Sequence, residues 1–590
     1  MYISTKKKPW TSLRKRQGTR KMASLLIFIP LFSALSGYVW KSRKFSVFLM
    51  TVNMLTALFL YLSGSDSTVI VVLGKFMPDI KYTLRLDQIS MPLTAMITSV
   101  AAISSLYIFG YNQNPVHQNR FLRLNSLFTA FITYFICSDN MLALCTGYGM
   151  TTVTAFFMLS FYDEKDSVSN NAVQVTSMNF AALAILLILS AVVFNHTGSY
   201  SFDKVLTGNE MVKNGSLPYI IAIAAFIMSG TFGLHSMILN AHKTSQPVLV
   251  VLYSAAFIST GLFLFNRFHQ IFLNNQTVTD FILLYCSLSS IILSFEAILQ
   301  TDIKKTEILT VCAQISLCFL VCAHDKPATL VRIIVYHGLT ATAAMLAIGA
   351  IITITSNEKD LLRMGGLRHL AKKTFFLTLL SFFFVLLLPV IISQIPSIKN
   401  VAFMQLAITV NSFLSAFCLS KIIMLVFLKN FRGDDNIFAR ITEANTVTIL
   451  SMVITIILIA VSLKKTAELI TIDNTIFYQI AAIATGIYLS YRFNYKHIPS
   501  RKYEKVINEN KYTAVMRLLK NAVFFKPAAF CYKTIDEGII SSTNKIITST
   551  ALNAARMLKK AKESNIFIYN AWIFISLAAV LIYTIVKVRP

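Results

Sequence analysis

Charge is scarce in this chain, and acid is scarcer still. Of its 590 residues 14% are charged, with 26 Asp and Glu against 54 Lys and Arg. So thin a charged complement excludes an ordinary soluble protein of this size, and no stretch has the composition to bury a separate soluble core. Metal-ligand spacing is missing as well. The cysteines, Cys137, Cys145, Cys286, Cys312, Cys318, Cys322, Cys418 and Cys531, are scattered mostly through apolar runs with no C-x-x-C pair. They form neither a disulfide framework nor a zinc site, and read as small buried hydrophobes. No phosphate loop, nucleophile constellation, dinucleotide fingerprint or haem ligand pair occurs. Redox chemistry and cofactors of its own are therefore not expected on this chain. A structural phospholipid such as cardiolipin is the one candidate ligand.

What fills the chain instead is hydrocarbon. Hydrophobic residues make up 55%, mean hydropathy is +0.63, and sixteen apolar runs follow one another. They lie near 23–40, 44–63, 89–110, 122–137, 140–161, 172–195, 217–239, 247–266, 277–299, 306–323, 329–355, 374–396, 401–428, 445–463, 473–492 and 566–587. Most are about 17 to 25 residues long, enough to cross a bilayer core of about 30 Å as a helix. A backbone in lipid has to satisfy its own N–H and C=O groups, so helices are the expected form. The expected class is an all-α polytopic membrane protein with about sixteen transmembrane helices.

The formal net charge of +28 sits in loops and in one surface segment. In such a protein it points to anionic lipid head groups or acidic partner subunits, not to nucleic acid. Residues 1–22 carry Lys6, Lys7, Lys8, Arg14, Lys15, Arg16, Arg20 and Lys21 with no acid. That composition resembles an organellar transit peptide, and the segment is read here as a retained basic N-terminal tail. Lys41, Arg43, Lys44, Arg120, Arg123, Lys359, Arg363, Arg368, Lys372 and Lys373 lie in loops after odd-numbered runs. The positive-inside rule puts those loops in the matrix or cytoplasm, which leaves the basic tail outside, against the rule.

Between the last two runs, residues 493–565 are basic yet keep an apolar stripe. Ile535, Ile539, Thr543, Ile546, Thr550, Ala554 and Leu558 recur every three or four positions. That spacing marks one face of a long amphipathic helix lying along a membrane surface or across neighbouring helices. Pro527 is expected to break any helix entering from the earlier half. The expected layout is a tail over 1–22, a bundle over 23–492, a lateral segment over 493–565 and an anchor over 566–590.

Local strings then point to a family. Ser138-Asp139-Asn140-Met141-Leu142-Ala143-Leu144 with Gly147 is similar to S-D-N-x-L-x-L-x-x-G. Gly233-Leu234-His235 is followed by Ala241, Pro247-Val248, Ala255 and Gly261, and Asp302-Ile303-Lys304-Lys305 by Cys312 and Gln314. Lys359-Asp360-Leu361-Leu362-Arg363-Met364-Gly365-Gly366-Leu367 contains D-x-x-x-M-G-G-L, the most specific string. In this order, with a lateral segment, they resemble chain 5 of NADH–ubiquinone oxidoreductase, the distal antiporter-like subunit of respiratory complex I. The resemblance spans nearly the whole chain. It implies antiporter-like inverted repeats, a mitochondrial inner-membrane location, and neighbouring antiporter-like subunits and membrane lipids as partners. It also implies a part in proton-translocating NADH:ubiquinone reduction.

Moving protons at depth requires ionisable side chains in the bilayer. The family implies a Glu on helix five paired with a Lys on helix seven, then Lys and His residues through helices eight to twelve. At the matching positions this chain has Gly149 and Met228, then Tyr253 for a helix-eight His and Ala341 for a helix-eleven Lys. Ser177 and Phe180 replace an Arg and an Asp on helix six. Losing one member of the Glu–Lys pair would strand a buried charge at about 3–5 kcal/mol, whereas losing both avoids that cost. The expected consequence is an impaired proton path and a partly structural role. Five ionisable candidates remain: Lys304, His337, Lys399 (shifted by one residue), Lys421 and His235. Each has a plainer reading, as a helix-end cation or a packed histidine. Glu296 and Arg332 also fall inside apolar runs, where they could pair with each other or cap helix ends. The competing function is a standalone cation–proton antiporter component.

Overall fold

A computed structural model describes residues 10–495, apart from 64–67, 78–79, 112–113, 161–165, 203–216, 232–234, 236–238, 274, 400 and 469–473. The lateral segment 493–565, save its first three residues, and the sixteenth run 566–587 lie outside the described residues. So does the start of the basic tail.

Each of the first fifteen apolar runs falls on a helix. These are α1 (Trp10–Val39), α2 (Arg43–Leu62), α3 (Ser90–Tyr111), α4 (Pro115–Ile136), α5 (Met141–Leu159), α6 (Asp166–Thr197) and α7 (Leu217–Ser229). Then come α8 (Gln246–Arg267), α9 (Gln276–Leu299), α10 (Ile303–His324), α11 (Pro327–Ile354) and α12 (Lys372–Ser393). The last described are α13 (Ala402–Ile423), α14 (Thr446–Ala467) and α15 (Asn474–Ser490). Eleven of the described helices are long and apolar enough to cross a membrane. The expected count of sixteen is not confirmed by that criterion, which covers the described residues alone. α4 and α10 carry charges near their starts, while α7 and α15 are short. The basic stretch has no separate form after residue 9, since α1 begins at Trp10 and runs into the first span.

Two features depart from the expected pattern. α7 stops at Ser229, ten residues before the end of its apolar run, because Gly230 takes a left-handed φ of +63°. The amide of Gly230 turns back to the carbonyl of Ile227 and that of Thr231 to Phe226, a glycine-terminated helix end. Between α2 and α3 the chain forms a hairpin, β1 (Val69–Met77) antiparallel to β2 (Ile80–Leu86), with Val69 opposite Leu86 and Val71 opposite Leu84. Its β-branched run, Val69-Ile70-Val71-Val72, was the available signal. Buried Val69, Leu84 and Leu86 pack it against Leu26, Leu60 and Ala130 of the neighbouring helices.

The helices sort into an inner and an outer set. α8 is buried along its length, and α3 and α11 nearly so. Small residues allow that closeness: a Cβ on Gly261 of α8 would lie 2.2 Å from the Ala225 carbonyl oxygen of α7. α2, α6 and α14 expose Phe59, Ile188 and Ile457 on the outside, the side a bilayer covers.

The loops gather at two opposite ends. At one, Arg43 donates to Gln118 at 2.6 Å, Ile303 N to the Lys359 carbonyl, and Arg432 to the carbonyls of Leu361 and Leu362. All follow odd-numbered helices. Gly365 and Gly366 belong there because φ values of +153° and +71° suit glycine, and a Cβ on Gly365 would strike the Asn430 carbonyl oxygen. Glu443 also lies there, capping α12. Its carboxylate accepts from Lys373 N at 2.8 Å, Thr374 N at 3.0 Å and Thr374 Oγ1 at 2.5 Å. Partial burial raises its pKa, but the hydrogen bonds from Thr374, Lys373 and Ala444 outweigh that and hold it below the ordinary value. A lowered folded pKa means stability that is present above about pH 4.3 and lost as pH falls through the folded value. Glu443→Gln is expected to abolish that acid-sensitive step and lower Tm by about 2 °C at neutral pH, read in thermal melts of the solubilised protein.

Candidate proton-handling site

Of the positions that the resemblance matches to family proton residues, Met228, Tyr253 and Ala341 lie in the interior of the bundle, whereas Phe180 lies at its surface. Met228 of α7 and Tyr253 of α8 are buried. Tyr253 sits in a π-helical turn, Leu252–Ala256, inside α8. Met228 faces a cavity of about 20 Å³ together with Phe128, Tyr148, Thr152, Asn179 and Thr260. A space of that volume holds about one water molecule. The Tyr148 hydroxyl donates to Asn179 Oδ1 at 3.3 Å, so part of the polarity here is already used. Gly149, one residue on, faces α6, where a Cβ would meet Leu183 Cδ2 at 3.3 Å. Phe180 on α6 is nearly half exposed on the outer surface. Ala341 is buried one turn beyond His337 on α11.

Ionisable groups concentrate in the other half, near the end where odd-numbered loops gather. Lys304 lies in the first turn of α10, whose amides at Lys304 and Lys305 are capped by Asp302 Oδ1 at 2.8 and 3.2 Å. It does not snorkel: the side chain is 2% exposed, and its Nζ donates to the Thr244 carbonyl at 2.9 Å. Thr244 belongs to the linker between α7 and α8, so this lysine ties the interrupted seventh span to α10. Lys421 of α13 donates to the Ile298 and Gln300 carbonyls at 2.8 and 2.7 Å, closing the C-terminus of α9. His337 of α11 is fully buried, its ring against the backbone of Val311 on α10. Lys399 ends a short helical turn, Pro396–Lys399, and its side chain lies outside the description.

Glu296 does not pair with Arg332. Its carboxylate Oε2 lies 2.9 Å from His235 Nε2, both side chains buried. His235 stands in the stretch between α7 and α8, so the Gly-Leu-His string meets α9 through an imidazole–carboxylate contact. Arg332 instead reaches Glu468 at 3.1 Å and the Lys465 carbonyl at 3.3 Å, at the edge of a separate groove of about 510 Å³ between α3, α11 and α14.

Two further groups escaped the sequence reading. Glu307 stands one turn after Lys304 on α10 and is fully buried. Arg267, at the end of α8, pairs with Asp87 ahead of α3, packed against the rings of Phe263 and Phe202. Arg85 bridges Asp87 at 3.3 Å and Asp139 at 3.4 Å, so hairpin, α3, α5 and α8 meet at the even-loop end. Asp139 is the acid of the Ser-Asp-Asn string, whose Asn140 caps α5 by accepting from Ala143 N at 2.7 Å. Burial raises the pKa of Asp87, but Arg267, Ser90 N and Arg85 bring it below the ordinary value.

Residues 138–424 match the family described as NADH:quinone oxidoreductase/Mrp antiporter, transmembrane. The central bundle is thus similar to this family. NADH-quinone oxidoreductase subunit L of Rickettsia typhi is 24% identical over 371 residues, 59% of this chain and 57% of that relative. NADH-ubiquinone oxidoreductase chain 5 of Chondrus crispus is 21% identical over 480 residues, 73% of this chain and 71% of that one. The chain thus spans less than three fifths of the Rickettsia typhi subunit it matches. Among solved structures, the Mrp complex from Dietzia sp. DQ12-45-1b aligns at a TM-score of 0.67 and 14% identity, over 96% of this chain and 63% of the other. The membrane-bound sulfane sulfur reductase, an archaeal respiratory membrane complex, aligns at 0.68 and 15%, over 94% and 99%. At such identities these two likenesses show the fold alone. The antiporter-like chain 5 resemblance therefore holds, in a divergent multi-pass membrane protein.

Proposed function

We propose that this chain is an antiporter-like membrane-arm subunit of a proton-translocating NADH:quinone oxidoreductase, in the mitochondrial inner membrane. Its partners are neighbouring antiporter-like subunits and membrane lipids, and it performs no redox step itself. Its first half no longer carries protons, so its role there is structural. The observation carrying this reading is the cavity at Met228, which has room for about one water and no acid or lysine in its lining. Protons cross bilayers through ionisable groups and connected water. Gly149 and Met228 offer no titratable group, while the phenol of Tyr253 has a reference pKa near 10, far above the working range of a relay. Lys304, His337, Lys399 and Lys421 are the candidates left for proton transfer in the second half, and His235 is the candidate between α7 and α8.

A tagged copy of the chain is expected to co-purify with flavin- and iron–sulfur-containing subunits that oxidise NADH. Isolation with integral membrane antiporter subunits alone, without redox centres, would favour the standalone cation–proton antiporter reading, since the family includes both kinds.

A further inference from the structure

Among the described residues, one acid in the bilayer-embedded interior has no hydrogen-bond partner. Both carboxylate oxygens of Glu307 are buried with no hydrogen-bond partner among the described residues. Three other buried ionisable groups have counterparts. Glu296 has His235, Lys304 has the Thr244 carbonyl, and Lys421 has the carbonyls closing α9. Glu307 was not needed to cap α10, because Asp302 already does so. An unpaired carboxylate in such surroundings costs several kcal/mol, whereas the neutral acid costs far less. A carboxyl group is kept in such a place at low cost only if a proton can occupy it.

Its neighbours suit proton exchange. Glu307 lies within electrostatic reach of Cys418 on α13, whose thiol points to the Ser294 carbonyl at 3.8 Å. From there a polar seam runs between α9 and α13: Asn411 donates to Ser290 and Ser294 hydroxyls at 3.0 and 2.9 Å, and Ser415 donates to Asn411 at 3.4 Å. Lys421, Cys418, Ser415 and Asn411 share one face of α13 at spacings of three and four, so the seam reaches about 15 Å inward from the odd-loop end. One turn past Glu307 on its own helix is Val311, against which the His337 ring lies. The site therefore stands between the loop end bearing Lys304 and Lys421 and the middle of the second half.

We infer that Glu307 is a proton-binding carboxyl group of this chain, loaded from the end where the odd-numbered loops gather. The transfer is simple: a carboxylate oxygen forms an O–H bond with an incoming proton and later releases it to a hydroxyl or to water. The inference builds on the proton-handling reading of the second half. Infrared spectroscopy decides it on membranes containing the chain whether or not redox subunits accompany it, so the two fail separately.

The expected spectrum at neutral pH contains the C=O stretch of a protonated carboxyl group, and that band shifts when water is exchanged for D2O. The band is expected to vanish in Glu307→Gln and to persist, displaced, in Glu307→Asp. Glu307→Leu, which leaves no polar group to satisfy, serves the same purpose if the glutamine variant does not fold. Glu296→Gln is the control and keeps the band. Absence of the band in the wild-type protein would overturn the inference, as would its survival in the glutamine or leucine variant. A band that stays unshifted in D2O would also overturn it, because the acid would then be sealed from both solvents.

Discussion

Sealed vesicles containing this chain in its redox complex are expected to move fewer protons per NADH than vesicles with a family complex whose chain 5 has the full residue set. The shortfall should equal up to one subunit's contribution, while NADH oxidation itself continues. The reason is local. Proton transfer needs a donor, an acceptor and water between them, and the cavity beside Met228 has no acid or lysine in its lining and little space for water. Gly149, which the resemblance matches to the helix-five acid, has no side chain, and Leu183 stands close by. The measurement is the proton-to-electron ratio, paired with a high-resolution search for ordered water between α5 and α8. A full ratio together with a continuous water file through that region would refute the expectation. Adding only one member of the Glu–Lys pair that the resemblance implies should make matters worse: Met228→Lys places an unpaired cation in the interior, at about 3–5 kcal/mol, and less assembled complex should be recovered.

The second large effect concerns the even-loop end. Arg267→Leu is expected to destabilise the bundle by about 3 kcal/mol, the lower end of the range for breaking a buried pair. Arg267 is almost fully buried on α8, and its removal leaves Asp87 with Arg85 at 3.3 Å as its remaining cation. Asp87 also accepts from the amides of Ile89 and Ser90 at 3.1 and 2.9 Å, so the damage should spread to the start of α3. Asp87→Asn in the same chain is expected to recover much of the loss, since the stranded charge is gone. A double-mutant cycle on the yield of folded protein after mild heating measures that coupling. Strict additivity of the two losses would mean the ion pair is incidental to the fold. The pair has a pH signature as well. The pKa of Asp87 is lowered on folding, so its contribution is present above about pH 3.9 and lost as pH falls through the folded value.

By itself the sequence determined the membrane class, the order of the first fifteen helices and the family resemblance. These follow from run length, hydropathy and short strings whose residues act locally. Asn140 and Asp302 cap the helices that their strings open, and Gly365 and Gly366 take backbone angles that side chains resist. The resemblance also implies that ionisable family positions are occupied here by Gly149, Met228, Tyr253 and Ala341, an expectation that the proton-to-electron ratio tests. Pairing was another matter. Only the tertiary structure decided that Glu296 answers His235, that Arg332 turns to Glu468, and that Lys304 is buried against the Thr244 carbonyl. Each of those contacts joins groups at least 60 positions apart, so helical periodicity carries no trace of them. The early end of α7 depended on one left-handed glycine, which hydropathy averages away. Glu307 went unremarked because in the sequence it reads as one more charge beside Lys304 and Lys305 at a helix start. The packing of α9 and α13 around it turned that charge into a buried acid without a partner. Burial is a property of what surrounds a residue, and for this chain the surroundings come from distant helices.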